Sequence, residues 1–445
     1  MNQSQGEEQA RNTADMVARR SYGKLVAFLA ARTKDVAAAE DALSDAFASA
    51  LADWPVNGCP ENPEAWLLTV ARRKQIDLIR RRQSGEAAAE QLQVMAEGLG
   101  DIPFGAATEE IPDRRLALMF ACAHPAIEIG VRAPLILQVV LGLDAAAIAS
   151  AFLISPKTMG QRLVRAKNKI KDAGIPFRIP EREELRDRLE TVLDAIYAAF
   201  AEGWIDASGT DLARRDLSVE AIYLGRLIVE LLPQEPEALG LLALMLHAEA
   251  RRHARRSAHG DYVPFADQDP SLWDLDLIRE AEALLFRAST LGSIGRYQLE
   301  GAVQSAHVTR RLLVCENLVC ENQVGENSDR DAWRANWEDV LHLYDALLSL
   351  SHSPVVAINR ALVIAELHGA EAALDAMPIV AADPRLAEYQ PYWAARAELL
   401  SRAKTGNNAE ARKAEARKAY EIAIGLERDD SVRSFLRAKQ SALLP

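Results

Sequence analysis

Apolar residues recur along this chain at intervals of three and four, the spacing of one face of an α-helix, and no run alternates in the way a half-buried strand requires. Between residues 22 and 54, Leu25, Phe28 and Leu29 make one stripe and Leu43, Phe47 and Leu51 another, so a second helix should start near Val36. Pro55, Gly58, Pro60 and Pro63 then break the period and predict an ordered loop over 54–63. A third helix follows to about Gln83. Asn62 can cap it, Pro63 and Glu64 suit its first turn, and Leu67, Val70, Ala71 and Leu78 fall opposite Thr69, Arg72, Arg73 and Arg80. Ile76, on the polar side, blurs that separation.

The best-delimited helix lies over residues 155–174. Ser155 is a favoured N-cap, Pro156 fits the first helical position, and Gly174 followed by Pro176 is a stop signal. Met159, Leu163, Ala166 and Ile170 share one stripe that must be covered; Lys157, Thr158, Gln161, Arg165 and Asn168 lie opposite, with Arg162 and Lys169 at the border. Residues 143–154 form a short helix immediately before it, with Ile148, Ala149 and Phe152 inward. That is helix-turn-helix spacing. The second helix of such a pair enters a major groove amino-terminus first, which would bring Lys157, Thr158, Gln161 and Arg162 to the bases and Arg165 and Lys169 to the backbone. A solvated surface helix would carry the same charges, and only the preceding helix separates the two readings.

From about Glu181 the chain is a succession of amphipathic helices with short breaks, and small alanines stand where neighbours would approach closely. Helical hairpins are the expected unit, and their stacking would leave a concave surface suited to a peptide, a protein or a small ligand. The stretch LVCENLVCENQVGENSDRD echoes itself and reads as an inserted surface loop, with a redox switch the sharper alternative. Glu202, Trp204, Asp211, Arg214, Arg215 and Asp216 cluster in the sequence, either as an active site or as a salt-bridged junction.

Charge changes the picture in one respect. The 445-residue chain carries a formal net charge of −12, yet cations gather at residues 72–82 and 157–171. Its four cysteines form no framework, and neither a signal peptide nor a run long enough to cross a bilayer is apparent, so a cytoplasmic protein with no membrane partner is expected. No nucleophile–base pair, phosphate-cradling loop or four-residue metal set is present; no enzyme, catalytic residue, cofactor or metal is expected.

The segments AEDALSDAFASALADWP and NPEAWLLTVARRKQIDLIRRR, followed by the helix-turn-helix ending in RLVRAKNKI, resemble regions two and four of the sigma-70 family in its compact extracytoplasmic-function (ECF) form. YQLEGAVQSAHV and WEDVLHLYDALLSLSHSPVVAINRAL resemble the ECF group with a long tetratricopeptide-like carboxy-terminal extension. The resemblance implies an all-α fold: region two over 15–83, an acidic linker over 84–112, region four over 113–178 and a helical-repeat domain over 181–445.

The resemblance also implies roles. Asp41, Asp45 and Phe47 fall where the family docks on the β′ clamp helices of RNA polymerase, with the β flap the expected partner of region four. Asn57, Asn62 and Trp66 would hold an extruded −10 base, while Arg72, Arg73, Lys74 and Arg80 grip phosphates. Lys157, Thr158, Gln161, Arg162, Arg165 and Lys169 would meet the −35 duplex. Arg73 and Ser44 depart from the asparagine and glutamine common in the family, which leaves base preference open. The implied function is promoter-specific initiation with core RNA polymerase, regulated through a partner or ligand of the extension. The alternative is a helix-turn-helix regulator with a helical sensor that acts without polymerase; a third option centres an enzyme or scaffold on the carboxy-terminal half.

Overall fold

The computed structural model describes residues 3–82, 113–151, 154–205, 212–319, 326–403 and 409–443. Among them the fold is all-α, and the one extended pairing is an isolated bridge between Arg256 and Tyr262. Two compact units divide the chain, residues 1–227 and 228–445. The linker over 84–112, Phe152 and residues 206–211 lie outside the described residues.

The first unit contains α1 (Gln3–Thr33), α2 (Val36–Asn57), α3 (Pro63–Arg82), α4 (Arg115–Cys122), α5 (Ile129–Val139), α6 (Ala145–Ala151), α7 (Pro156–Asp172), α8 (Arg182–Ile205) and most of α9 (Leu212–Leu231). Lys34 takes a left-handed φ of 54° between α1 and α2, and Asp35 caps α2 by accepting from the Ala38 amide at 3.0 Å. Buried Ala39, Ala42, Ala46 and Ala50 let α2 lie close against α1, with Leu43 and Trp54 filling the remaining volume.

Two sequence expectations change here. The first helix starts at Gln3, far ahead of Tyr22, and buries Ala10, Ala14 and Val17. The second continues through Pro55 to Asn57, because a proline in the last turn forfeits one bond while the Gly58 amide still reaches the Trp54 carbonyl at 2.9 Å.

Helices α6 and α7 pack on each other and on α5. Ser155 caps α7, accepting from the Thr158 amide at 3.2 Å, and Met159, Leu163, Ala166 and Ile170 are all buried. Helices α4 and α5 are covered in turn by α8. The buried Arg115 is held by Asp113, with 2.7 Å between Nη2 and Oδ2, and by Glu220 of α9; its guanidinium lies 5.0 Å from the centre of the Tyr223 ring. Burial pushes the Asp113 carboxyl up, but its bonds to Arg115 prevail and hold it below the usual range.

The second unit is built outward from α10 (Pro236–Glu249), in which Pro236 and every residue from Ala238 to His247 are buried, so the helix is apolar on all sides and is wrapped by its neighbours. Helices α11 (Leu275–Ser289) and α12 (Arg296–Val319) pack against it. Gly240 lets the α12 backbone approach, and the Glu237 carboxylate accepts from the Tyr297 and Gln298 amides at 3.1 Å each, capping α12 from outside. Helix α12 runs to Val319, so Cys315 is helical where a surface loop was expected; Cys320 is outside the described residues.

The remaining helices are α13 (Glu326–Ser351), α14 (Pro354–His368), α15 (Ala370–Ala376), α16 (Gln390–Arg402), α17 (Ala409–Leu426) and α18 (Asp430–Ser441). Each hydrophobic cluster draws mainly on consecutive helices: Val303, Trp337, Tyr344 and Val356, then Ile358, Ala373, Tyr392 and Leu399, then Ala397, Tyr420, Ala423 and Leu436.

Asp429 closes this series. It caps α18 through the Ser431 and Val432 amides and pairs with Arg256. Burial pushes its carboxyl up, yet the bonds from Ser431, Arg256 and the amides prevail and hold the pKa at about 2. Its stabilising contribution is therefore complete above the ordinary carboxylate value of about 3.9 and disappears as pH falls through about 2. Replacing Asp429 with alanine should cost about 1–2 kcal/mol at neutral pH, with α18 amides exchanging faster than the rest of the unit; unchanged protection over residues 430–441 would show that neither bond matters.

Candidate nucleic-acid interface

Three surfaces of the first unit carry the residues that the sequence singles out. The first is the outer edge of α2. Asp41 and Asp45 are both exposed, four residues apart on one side of the helix, and Phe47 is half-buried beside them. Leu51, expected in the buried stripe, is instead 47% exposed, and Val56 is 81% exposed. Sequence periodicity does not report these two. They add apolar area to the acidic edge, a combination suited to a protein partner that brings cations.

The second surface is the turn from α2 into α3. Trp54 is buried and meets the half-buried Trp66 edge-on at 5.4 Å between ring centres. Asn62 caps α3, its side-chain oxygen accepting from the Ala65 backbone amide at 3.0 Å, while the Asn57 side-chain amide donates to the Asp53 carboxylate at 2.8 Å. Glu64 ties the first turn of α3 to α1 through Ser21 and, at 3.9 Å, Lys24. Arg72 is not splayed into solvent: its guanidinium lies 4.8 Å from the centre of the Phe28 ring. Arg73 is exposed and Lys74 half-buried; Arg80 is in α3, its side chain outside the described residues. Of the two rings only Trp66 has surface to offer a displaced base, with Trp54 behind it, while Arg73 and Lys74 further along the same helix can hold a strand by charge.

The third surface is α7. Lys157, Gln161, Arg165 and Lys169 are exposed, whereas Thr158 and Arg162 are half-buried. The Thr158 hydroxyl lies 2.7 Å from that of Ser155, and Arg165 donates through Nε to the Gln161 carbonyl at 3.3 Å. A Cβ added at Gly160 would meet nothing within 4 Å, so the glycine has no packing reason in the free chain. Two other α7 cations are already engaged: Lys167 with Glu40 at 2.6 Å and Lys171 with Asp35 at 2.7 Å. Neither carboxylate is a candidate on sequence grounds. Their only sequence signal is that Glu40 lies on α2 next to Asp41 and that Asp35 caps the same helix.

Among the described residues, no group of three or more His, Cys, Asp or Glu is placed to hold a metal ion, and no helix is long and apolar enough to cross a membrane. Glu202 and Trp204 are in the last turns of α8, while Asp211 and the side chains of Arg214, Arg215 and Asp216 lie outside the described residues.

Comparison with known proteins gives two family matches. Residues 17–85 match Sigma-70 region 2, and residues 188–289 match a family of unknown function (DUF6596). Over 405 residues the chain is 35% identical to Uncharacterized protein R00370 of Rhizobium meliloti (strain 1021), a match that covers 90% of this chain and 88% of that protein. No solved structure matches.

Proposed function

Because the chain belongs to one family with R00370 and carries a sigma-70 region 2, we propose that it is an ECF-type sigma factor, which binds core RNA polymerase and directs it to promoters. The observation that carries this reading is the pairing of a cationic helix, α3, whose half-buried Trp66 is backed by Trp54 and which bears the exposed Arg73, with a second helix whose Lys157, Gln161, Arg165 and Lys169 face solvent. The two suit different forms of DNA. Helix α7 would enter the −35 major groove, and the corner with α3 would take an unstacked −10 base. Binding energy, rather than covalent chemistry, would supply the few kcal/mol that unstacking requires.

The acidic edge of α2, with Asp41, Asp45 and Phe47, is the proposed site for the β′ clamp helices, and the half of the unit that contains α7 is proposed to meet the β flap. The second unit would act as a tetratricopeptide-like surface for a regulatory protein or ligand, since shared clusters between consecutive helices favour a stacked repeat.

Adding the purified chain to core polymerase should produce specific initiation from a subset of promoters, identified by sequencing the DNA that the complex retains. A chain that binds promoter fragments but never core polymerase would replace this reading with that of a regulator acting alone. Replacing Arg162 and Arg165 with alanine should weaken −35 duplex binding and reduce the slope of log affinity against log salt by about 0.9 for each phosphate no longer neutralised. An unchanged slope would remove α7 from the DNA.

A further inference from the structure

Just past α10 the run RRHARR, residues 251–256, crowds four arginines into six positions of the second unit. Two of them are matched by carboxylates. Arg252 donates to Glu249 at 2.7 and 2.8 Å, and Arg256 pairs with Asp429. Arg251 is treated differently. It is only 9% exposed, yet its bonds go to neutral acceptors, from Nε to the His247 carbonyl at 3.0 Å and from Nη2 to the Gln304 side-chain oxygen at 2.5 Å. Its guanidinium lies 4.7 Å from the centre of the Phe265 ring.

Helix α12 brings two further groups to the same place. His307, one turn beyond Gln304, has its ring centre 5.9 Å from those of both Phe265 and Trp337. Arg310 lies 3.7 Å from the Trp337 ring centre, with its Nη2 3.4 Å from His307 Nδ1. A guanidinium can only donate, so Nδ1 accepts and the neutral imidazole keeps its proton on Nε2. Burial first, and then the charges of Arg310 and Arg251, push the His307 pKa down to about 4; burial and then Arg255 bring that of Arg251 down to about 10. The carboxylate that acts on Arg310 is Glu366, which is itself bonded to Arg402 at 2.7 Å. Next to Phe265, the buried Trp273 indole nitrogen has no acceptor among the described residues.

The chain has 64 acids against 52 lysines and arginines, so a shortage of carboxylates does not explain this cluster. The face of one aromatic ring returns less than a guanidinium loses on leaving water, and buried charges are ordinarily paired. Two permanent cations and one N–H donor therefore converge without a resident counter-ion. They approach from two elements, the turn after α10 and helix α12, so one planar carboxylate, which a single guanidinium fork already satisfies, suits them poorly. A phosphoryl dianion has three terminal oxygens and the charge to match both guanidiniums.

We propose that Arg251, His307 and Arg310 form a binding site for the phosphoryl group of a small phosphate monoester. Arg251 is almost enclosed while His307 and Arg310 are half-buried, a narrow approach that favours a small molecule over a protein surface. A ligand for the second unit was proposed above from its stacked helices; this site stands on the residues of that unit alone, and its test needs no polymerase.

Titration calorimetry of the full chain at constant ionic strength tests it, with inorganic phosphate, glycerol 3-phosphate and succinate as probes. Glycerol 3-phosphate should bind once per chain and more tightly than inorganic phosphate, and succinate should not bind. Binding of neither phosphate would overturn the site, binding of inorganic phosphate alone would overturn the monoester, and equal binding of succinate would overturn the choice of a phosphoryl group. Arg310→Gln should weaken glycerol 3-phosphate about thirtyfold. Without phosphate the same variant should unfold at or above the parent's midpoint, since it removes one of the like charges around His307. A lowered midpoint with undiminished affinity would make Arg310 a structural residue and sink the proposal. Should Arg310→Gln fail to fold, His307→Phe decides: it keeps a ring and removes the Nε2 donor, and should weaken binding about tenfold. Unchanged affinity in that variant would remove His307 from the site and overturn the assignment.

Discussion

Replacing Gly240 with alanine is expected to destabilise the second unit by about 3 kcal/mol, enough to lower its unfolding midpoint by roughly 10 °C. Helix propensity argues the other way, since alanine in a helix interior is favoured over glycine by about 1 kcal/mol. Sterics decide. A Cβ at Gly240 would stand 2.4 Å from the Gln298 amide nitrogen and 2.5 Å from its Cα, and these are backbone atoms of α12 that cannot rotate away. The added methyl must push α12 off α10, and α12 is fixed there by the bonds from its first amides to Glu237. Gly425 supplies the control, because a Cβ there would meet nothing within 4 Å. Alanine at that position should stabilise by up to about 1 kcal/mol. Thermal or denaturant unfolding of the two variants should give shifts of opposite sign; shifts of the same sign would refute the close approach of α10 and α12.

Exchanging both Asp41 and Asp45 for lysine should reduce affinity for core polymerase by about a thousandfold while leaving the fold intact. Both side chains are exposed, so the substitutions should change stability by less than about 0.5 kcal/mol each. At an interface that supplies cations, however, two like-charge juxtapositions each cost several kcal/mol. The α7 face is untouched, and binding to a −35 duplex should stay within about twofold of the parent. Titration against labelled core polymerase measures the first effect and duplex binding the second. A doubly substituted chain that binds core polymerase as tightly as its parent would exclude this edge of α2 from the proposed interface.

How much of the fold is legible in the sequence depends on how local the determining physics is. Helix α7 is readable in full because Ser155, Pro156, Met159, Leu163, Ala166, Ile170 and Gly174 carry its start, its stripe and its end within one stretch. The start of α2 at Val36 is equally local, set by an Asp35 cap. The early turns of α1 escape notice because Ala10, Ala14 and Val17 are small residues among many polar ones, too weak a stripe to stand out. Pro55 reads as a stop, although a helix tolerates proline when little of its last turn remains. Spacing from Leu43 assigns Leu51 to the core, but eight residues later the stripe has drifted and Leu51 is left half in solvent. The pairing of Glu40 with Lys167 joins residues 127 positions apart, and no periodicity reports on such a pair.

The site follows the same division. Residue types and their order identify the cationic helices, and the family match at residues 17–85 agrees with the region-two part of that reading. Sequence does not reveal that Asn62 uses its side chain as a cap, that Arg72 lies over Phe28, or that Val56 is bare. These depend on which surfaces remain after the helices have packed.

The hold of α9 on Arg115 reaches beyond the fold. Glu220 and Tyr223 are contributed by the chain that follows α7, and they pair with and cover a guanidinium in α4. Cutting the chain after Ile179 would take Glu220 and Tyr223 from Arg115, leaving Asp113 as its ion-pair partner, and would remove the α8 helix that packs on α4 and α5. Such a truncation would thus injure the first unit while removing the second, and a loss of activity in it would not report on what the second unit alone does. Point changes within the second unit ask that question without injuring the part that answers it.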